Sequence, residues 1–122
     1  LHQLKDTYSA ENAILEALPR LAEVARSEEL KGALRVHVEE TRKQVKRLDQ
    51  VFRLVGEEPE AIECKAIGGI IAEGEEIMEE FSDGAAIDAG LISAAQAVEH
   101  YEITRYGTLL AWAKQLGLSD AA

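Results

Sequence analysis

The sequence predicts an all-α protein, an up-down four-helix bundle, and three observations predict it. Apolar residues recur at helical spacing, not in alternation, along four successive stretches. Ala, Leu, Glu, Ile and Val dominate while aromatic residues make up only 5% of the chain, a composition that suits helices better than a sheet sandwich. The stretches are separated by serine, glycine and proline signals of the kind that stop and restart helices. With 122 residues, the chain is long enough for one real core and too short for two ordinary ones, so residues 1–122 are read as a single domain.

The first helix is predicted from about Leu1 to Arg26, along Leu4, Tyr8, Leu15, Leu18, Ala22 and Ala25, with Glu11 in the missing step of the stripe. Pro19 removes one backbone hydrogen bond and predicts a kink near Leu18. Ser27 is the N-cap expected for a second helix, with Glu28 and Glu29 in its first turn where the helix dipole favours anions. That helix is predicted to end at Val55, closed by Gly56 and Pro59. Its inward stripe reads Leu30, Ala33, Leu34, His37, Thr41, Gln44, Leu48, Val51, Phe52 and Val55, with Glu40 one turn after His37.

A third helix is expected from Pro59 to Phe81 along Ile62, Ala66, Ile70, Glu73 and Ile77. Gly68, Gly69 and Gly74 weaken it, each by roughly 1 kcal/mol relative to alanine, while allowing close approach to a neighbour. Ser82-Asp83-Gly84 signals a turn. A fourth helix follows from Ala86 to Leu116 and stops at Gly117, with Ile87, Leu91, Ala94, Ala95, Val98, Leu109 and Trp112 as its core stripe and Trp112 as an anchor.

Thirteen basic against twenty-three acidic residues give a net charge of −10. This argues against nucleic acid or an anionic membrane surface as partner and leaves cations as the natural small partners. No apolar run approaches the roughly 20 residues needed to span a bilayer. The single cysteine, Cys64, has no intrachain partner and is read as inert, in a reducing, cytoplasmic setting.

Every predicted helix carries a potential metal ligand in its inward stripe: Glu11, then His37 with Glu40, then Glu73, then Glu99 with Glu102. Pairs three apart on a helix lie one above the other and can meet one centre. Carboxylates with imidazole on four facing helices form the ligand set of a di-iron or di-manganese bundle. Depth supports three of the levels. Glu11 stands roughly 22 Å before the first turn and Glu40 roughly 18 Å after it. Glu73 matches worst, about 12 Å before its turn against about 20 Å after it for Glu99. Each acid taken alone is more simply a snorkelling surface residue, and His37 alone a satisfied core histidine. Tyr8, one turn before Glu11, is either a packing residue or a hydrogen-bond partner of a ligand carboxylate. His100 points about 100° from Glu99 and is either a support for the ligands or a surface residue.

Asp6-Thr7-Tyr8-Ser9-Ala10-Glu11, His37-Val38-Glu39-Glu40-Thr41 and Val98-Glu99-His100-Tyr101-Glu102-Ile103, with Tyr106-Gly107-Thr108-Leu109, closely resemble the YciE/YciF family of bacterial stress-associated ferritin-like proteins. The resemblance implies a rubrerythrin-like helical fold, a homodimer, and a dinuclear iron site with ferroxidase or peroxide-reducing activity. Family members tend to continue into a further acidic helix; in that longer layout the third helix is a crossover and a fifth completes the site. Two departures stand out: His37-x-x-Glu40 reverses the usual Glu-x-x-His order, and the fourth helix offers Glu99-x-x-Glu102. The functional expectation is therefore a carboxylate-bridged dimetal protein, with two iron ions or alternatively manganese, acting with dioxygen or peroxide. The competing expectation is a non-catalytic helical interaction module in which the seam acids pair with Arg35, Arg42 or Arg105 or face a dimer interface.

Overall fold

The computed structural model describes residues 1–82 and 84–122; of the turn Ser82-Asp83-Gly84, Asp83 lies outside the described residues. Four helices follow one another in an up-down arrangement: α1 (His2–Val24), α2 (Glu28–Leu54), α3 (Lys65–Glu80) and α4 (Ile87–Gln115). Ser27 caps α2 as expected, its hydroxyl accepting from the Leu30 N–H at 3.3 Å. The carboxylate of Asp88 secures the same corner from another helix, accepting from the Arg26 and Ser27 N–H groups at 2.7 and 2.9 Å.

Both stop signals at glycine hold. Gly56 (φ 77°) and Gly117 (φ 71°) adopt the left-handed conformation. At each the following N–H reaches back to a helix carbonyl, Glu57 to Phe52 and Leu118 to Ala113, both at 2.9 Å, the geometry that satisfies orphan carbonyls at a helix end. α1 continues through Pro19 to Val24.

Helix α3 begins at Lys65, not at Pro59. Residues 57–64 before it form no regular element, and Cys64 at the N-cap is extended (φ −101°, ψ 100°) with its side chain buried. The buried face of α3 is also rotated from the expected one. Ile67 and Gly74 are buried while Ala66 and Glu73 are exposed, a shift of one residue or about 100°. Ile70 and Ile71 in succession fit either phase, and a glycine at the true inward position carries no hydropathy signal. An added Cβ at Gly74 would only make ordinary contact with that of Ala94 at 3.5 Å; it is Gly90 of α4, where a Cβ would meet Ile77 inside contact distance, that lets the two helices approach.

Helix α1 packs most extensively on α2 and also touches α3 and α4, and α3 packs on α4; among the described residues α2 makes no comparable contact with α3 or α4. The far half of α4 is therefore poorly covered. Trp112, expected as a core anchor, is 46% exposed, and no residue of α4 beyond Glu102 is buried. In α2, Val38 is buried and Ala33 exposed, the reverse of the expected stripe at those positions.

The apolar core is broken in two. A larger cluster gathers Ile14, Leu18, Leu34, Val38, Ile67 and Leu91 with their neighbours, and a smaller one gathers Leu4, Leu48 and Phe52 under Tyr8, Tyr106 and Leu109. Glu11, Thr41 and Glu102 are buried polar residues of α1, α2 and α4 that fall between the two along their helices. No helix among the described residues is long and apolar enough to cross a membrane.

Candidate metal centre

The break in the core is where ionisable groups converge. Glu11 of α1 is 1% exposed and Glu102 of α4 is 8% exposed. His37 of α2 closes the third side, its Nε2 standing 3.7 Å from Glu102 Oε2. The Tyr106 hydroxyl, one turn beyond Glu102 on α4, donates to Glu11 Oε1 at 2.7 Å. The other oxygen of each acid, Glu11 Oε2 and Glu102 Oε1, is buried without a hydrogen-bond partner. A buried acceptor left so costs roughly 1–3 kcal/mol, more when charged.

Electrostatics follow from that crowding. Burial first, then the adjacent Glu102 charge, push the Glu11 carboxyl up to about 8, against the Tyr106 hydrogen bond and the His37 charge, which lower it. Two ionised carboxylates have no donor between them, whereas a proton on Glu11 gives Glu102 one. His37 is held above its ordinary value by the hydrogen-bonding carboxylate of Glu102, then, against the cost of burial, by the charges of Glu102, Glu99 and Glu40. Burial, then the nearby Glu11 charge, raise the Tyr106 phenol, keeping it a proton donor.

The predicted ligands divide accordingly. Glu11, His37 and Glu102 come together. Glu40 and Glu99 are exposed on α2 and α4, though both charges are felt at His37. Glu73 is exposed on the outward face of α3, for the reason of phase given above. Tyr8 does not support Glu11. Its ring packs edge-on against Phe52, with centroids 5.4 Å apart, and burial and then Asp49 raise its phenol. His100 is exposed, with Nδ1 2.9 Å from the Gln96 carbonyl of its own helix. Among the described residues no three histidine, cysteine or acidic side chains are drawn together closely enough to enclose an ion.

Tyr106 stands four residues after Glu102, a spacing that puts both on the same helix face. A second polar group lies around Tyr101. The Tyr101 hydroxyl donates to Asp6 Oδ2 at 3.2 Å and lies 3.1 Å from Cys64 Sγ, with the Arg105 guanidinium 5.1 Å from the Tyr101 ring centroid. Arg105 Nε stands 4.0 Å from Asp6, and Arg42 pairs with Glu39. Among the described residues no arginine or lysine forms an ion pair with Glu11 or Glu102.

Over residues 1–122 the chain matches the family described as Domain of unknown function (DUF892). It is 44% identical over 123 residues to the protein YciF of Escherichia coli K12, across 100% of this chain and 74% of that protein. The solved structure of the E. coli stress protein YciF superposes with a TM-score of 0.93 at 44% identity, covering 99% of this chain and 77% of that one. The structure of YcfI from Rhodopseudomonas palustris superposes with a TM-score of 0.96 at 50% identity, with the same coverage of 99% and 77%.

Proposed function

Because the chain belongs to the DUF892 family, with YciF-like stress proteins among its relatives, we propose that its core break binds divalent metal, two iron ions or alternatively manganese, in a cytoplasmic stress function as a ferroxidase or peroxide reductase. The observation that carries this reading is the pair of partnerless buried oxygens, Glu11 Oε2 and Glu102 Oε1, on different helices beside the His37 imidazole. Hard carboxylate oxygens and imidazole nitrogen are the donors that iron and manganese accept, and among the described residues no lysine or arginine pairs with either acid.

When bound, the metal would supply electron exchange with dioxygen or peroxide. The chain's own residues set the terms. Glu11 and Glu102 would offer carboxylate oxygens and His37 a nitrogen, and Glu40 and Glu99, whose charges are felt at His37, would be the further ligands. Glu73 is too far round its helix to join them. Tyr106 holds the Glu11 carboxylate in one orientation, as outer partners of ligands commonly do. Binding displaces the protons that Glu11 and His37 hold, so metal uptake releases protons and strengthens as pH rises.

The test is elemental analysis of protein purified without chelator, followed by aerobic addition of ferrous iron. The reading expects bound iron or manganese and near-ultraviolet oxo-bridge absorption; metal-free protein with a flat trace overturns it. A second reading, a metal-free helical interaction module and homodimer, is favoured by the absence of an enclosed ligand trio among the described residues. On that reading Glu11→Leu raises the melting temperature equally with and without added metal, as replacing a buried ion by a hydrophobe often does.

A further inference from the structure

One helical turn from the acid pair, on the side away from Tyr106, the larger core cluster borders a cavity of about 30 Å³ that opens to solvent on one side. Its wall includes Ile14 and Leu18 of α1, Ile71 and Met78 of α3, and Ala94 and Val98 of α4. Ile14 follows Glu11 by three residues and Val98 precedes Glu102 by four, so the cavity wall and the acids are separated by about 4.5 Å along α1 and about 6 Å along α4. Among the described residues, the only polar side chains lining it are Arg20 and Glu75. These exposed groups pair with one another at 2.5 Å, with side chains 61% and 43% exposed, and so mark its solvent side.

We propose that this cavity is a binding site for one small apolar gas molecule, dioxygen, held beside the acid pair. The inference rests on the proposed metal function for its purpose, and on the void and its lining for its existence. Away from the Arg20–Glu75 pair at its mouth the lining offers water no polar partner, and apolar space of that kind stays dry and accepts apolar guests such as xenon. Water or hydrogen peroxide entering it would lose hydrogen bonds at a cost of several kcal/mol, which dioxygen does not incur. The lining thus selects between the two oxidants that the carboxylate site alone leaves open.

The test begins with crystals of the metal-free protein under xenon pressure, read by anomalous scattering. One xenon site is expected between Ile14, Leu18 and Val98. Gly74→Ala supplies the control, because Gly74 lines the cavity and its new methyl would sit in ordinary contact with Ala94 at 3.5 Å, narrowing the void without disrupting the helix. Xenon occupancy is expected to fall at least threefold in this variant. An empty cavity in the wild-type protein, or equal occupancy in the two proteins, overturns the gas site. In iron-loaded protein the same substitution is expected to lower the ratio of the dioxygen-driven to the peroxide-driven oxidation rate at least threefold. An unchanged ratio overturns the assignment to dioxygen. A chain that takes up xenon but no iron defeats the proposed metal function and leaves the gas site standing.

Discussion

At the scale of single residues, Glu11 carries the most consequence. Its carboxyl titrates near 4.5 in the unfolded chain and is pushed up to about 8 in the folded one, chiefly by burial and then by Glu102. Between those values the folded state binds the extra proton, so the metal-free protein loses stability as pH rises from about 4.5 to about 8. His37 acts in the same direction, because its raised value gives stability that is complete below 6.5 and lost as pH passes its folded value. Chemical denaturation across this range should show the decline; constant or rising stability would contradict it. Glu11→Gln keeps an acceptor for Tyr106 and offers an amide donor to Glu102, so at pH 8 without metal it is expected to stabilise by a few kcal/mol. Glu73→Ala, on an exposed face, is expected to change stability by less than about 0.5 kcal/mol and to leave metal stoichiometry unchanged in elemental analysis.

At the scale of elements, the two glycines at the α3–α4 contact make opposite predictions. Gly74→Ala meets only ordinary contact with Ala94 and gains about 1 kcal/mol of helix propensity. Gly90→Ala places a Cβ against Ile77 Cγ2 inside contact distance. Ile77 is β-branched on a helix and has one strongly preferred rotamer, so overpacking of roughly 1–3 kcal/mol exceeds the propensity gain. Urea melts should move in opposite directions for the two variants. Helix ends were legible because they are written in local chemistry: Ser27 for a start, Gly56 and Gly117 for stops. The start and phase of α3 were not, because two adjacent isoleucines fit either face and the residue that turns inward is a glycine. That single ambiguity also put Glu73 on the list of ligands.

At the scale of the molecule, an apolar core interrupted by Glu11, Thr41 and Glu102 was legible as a seam with acids in its middle. Depth along the helices brought Glu11 to the level of the His37–Glu40 turn from sequence alone. What the sequence did not reveal is that α2 meets α4 through side chains such as His37 and Glu102 without close backbone packing, since apolar spacing reports which face of a helix is buried and not which helix covers it. This looser packing leaves Glu40 and Glu99 exposed and Trp112 uncovered. The same arrangement gives the acids their chemical character, two carboxylates beside one phenol and one imidazole with, among the described residues, no lysine or arginine paired to either acid. Net charge of −10 adds a general attraction for cations, screened by salt, so metal binding at this site should weaken less with added salt than adsorption to the exposed acids.

The most direct measurement of the central claim is the melting temperature at pH 8, anaerobically, with and without excess ferrous iron, in the wild-type protein and in Glu11→Gln. Metal at about a hundredfold its dissociation constant contributes roughly 2.7 kcal/mol, or on the order of 10 °C for a domain of this size. The account predicts that rise in the wild-type protein and its loss in Glu11→Gln. Equal melting with and without iron in the wild-type protein, or an undiminished rise in the variant, would contradict it.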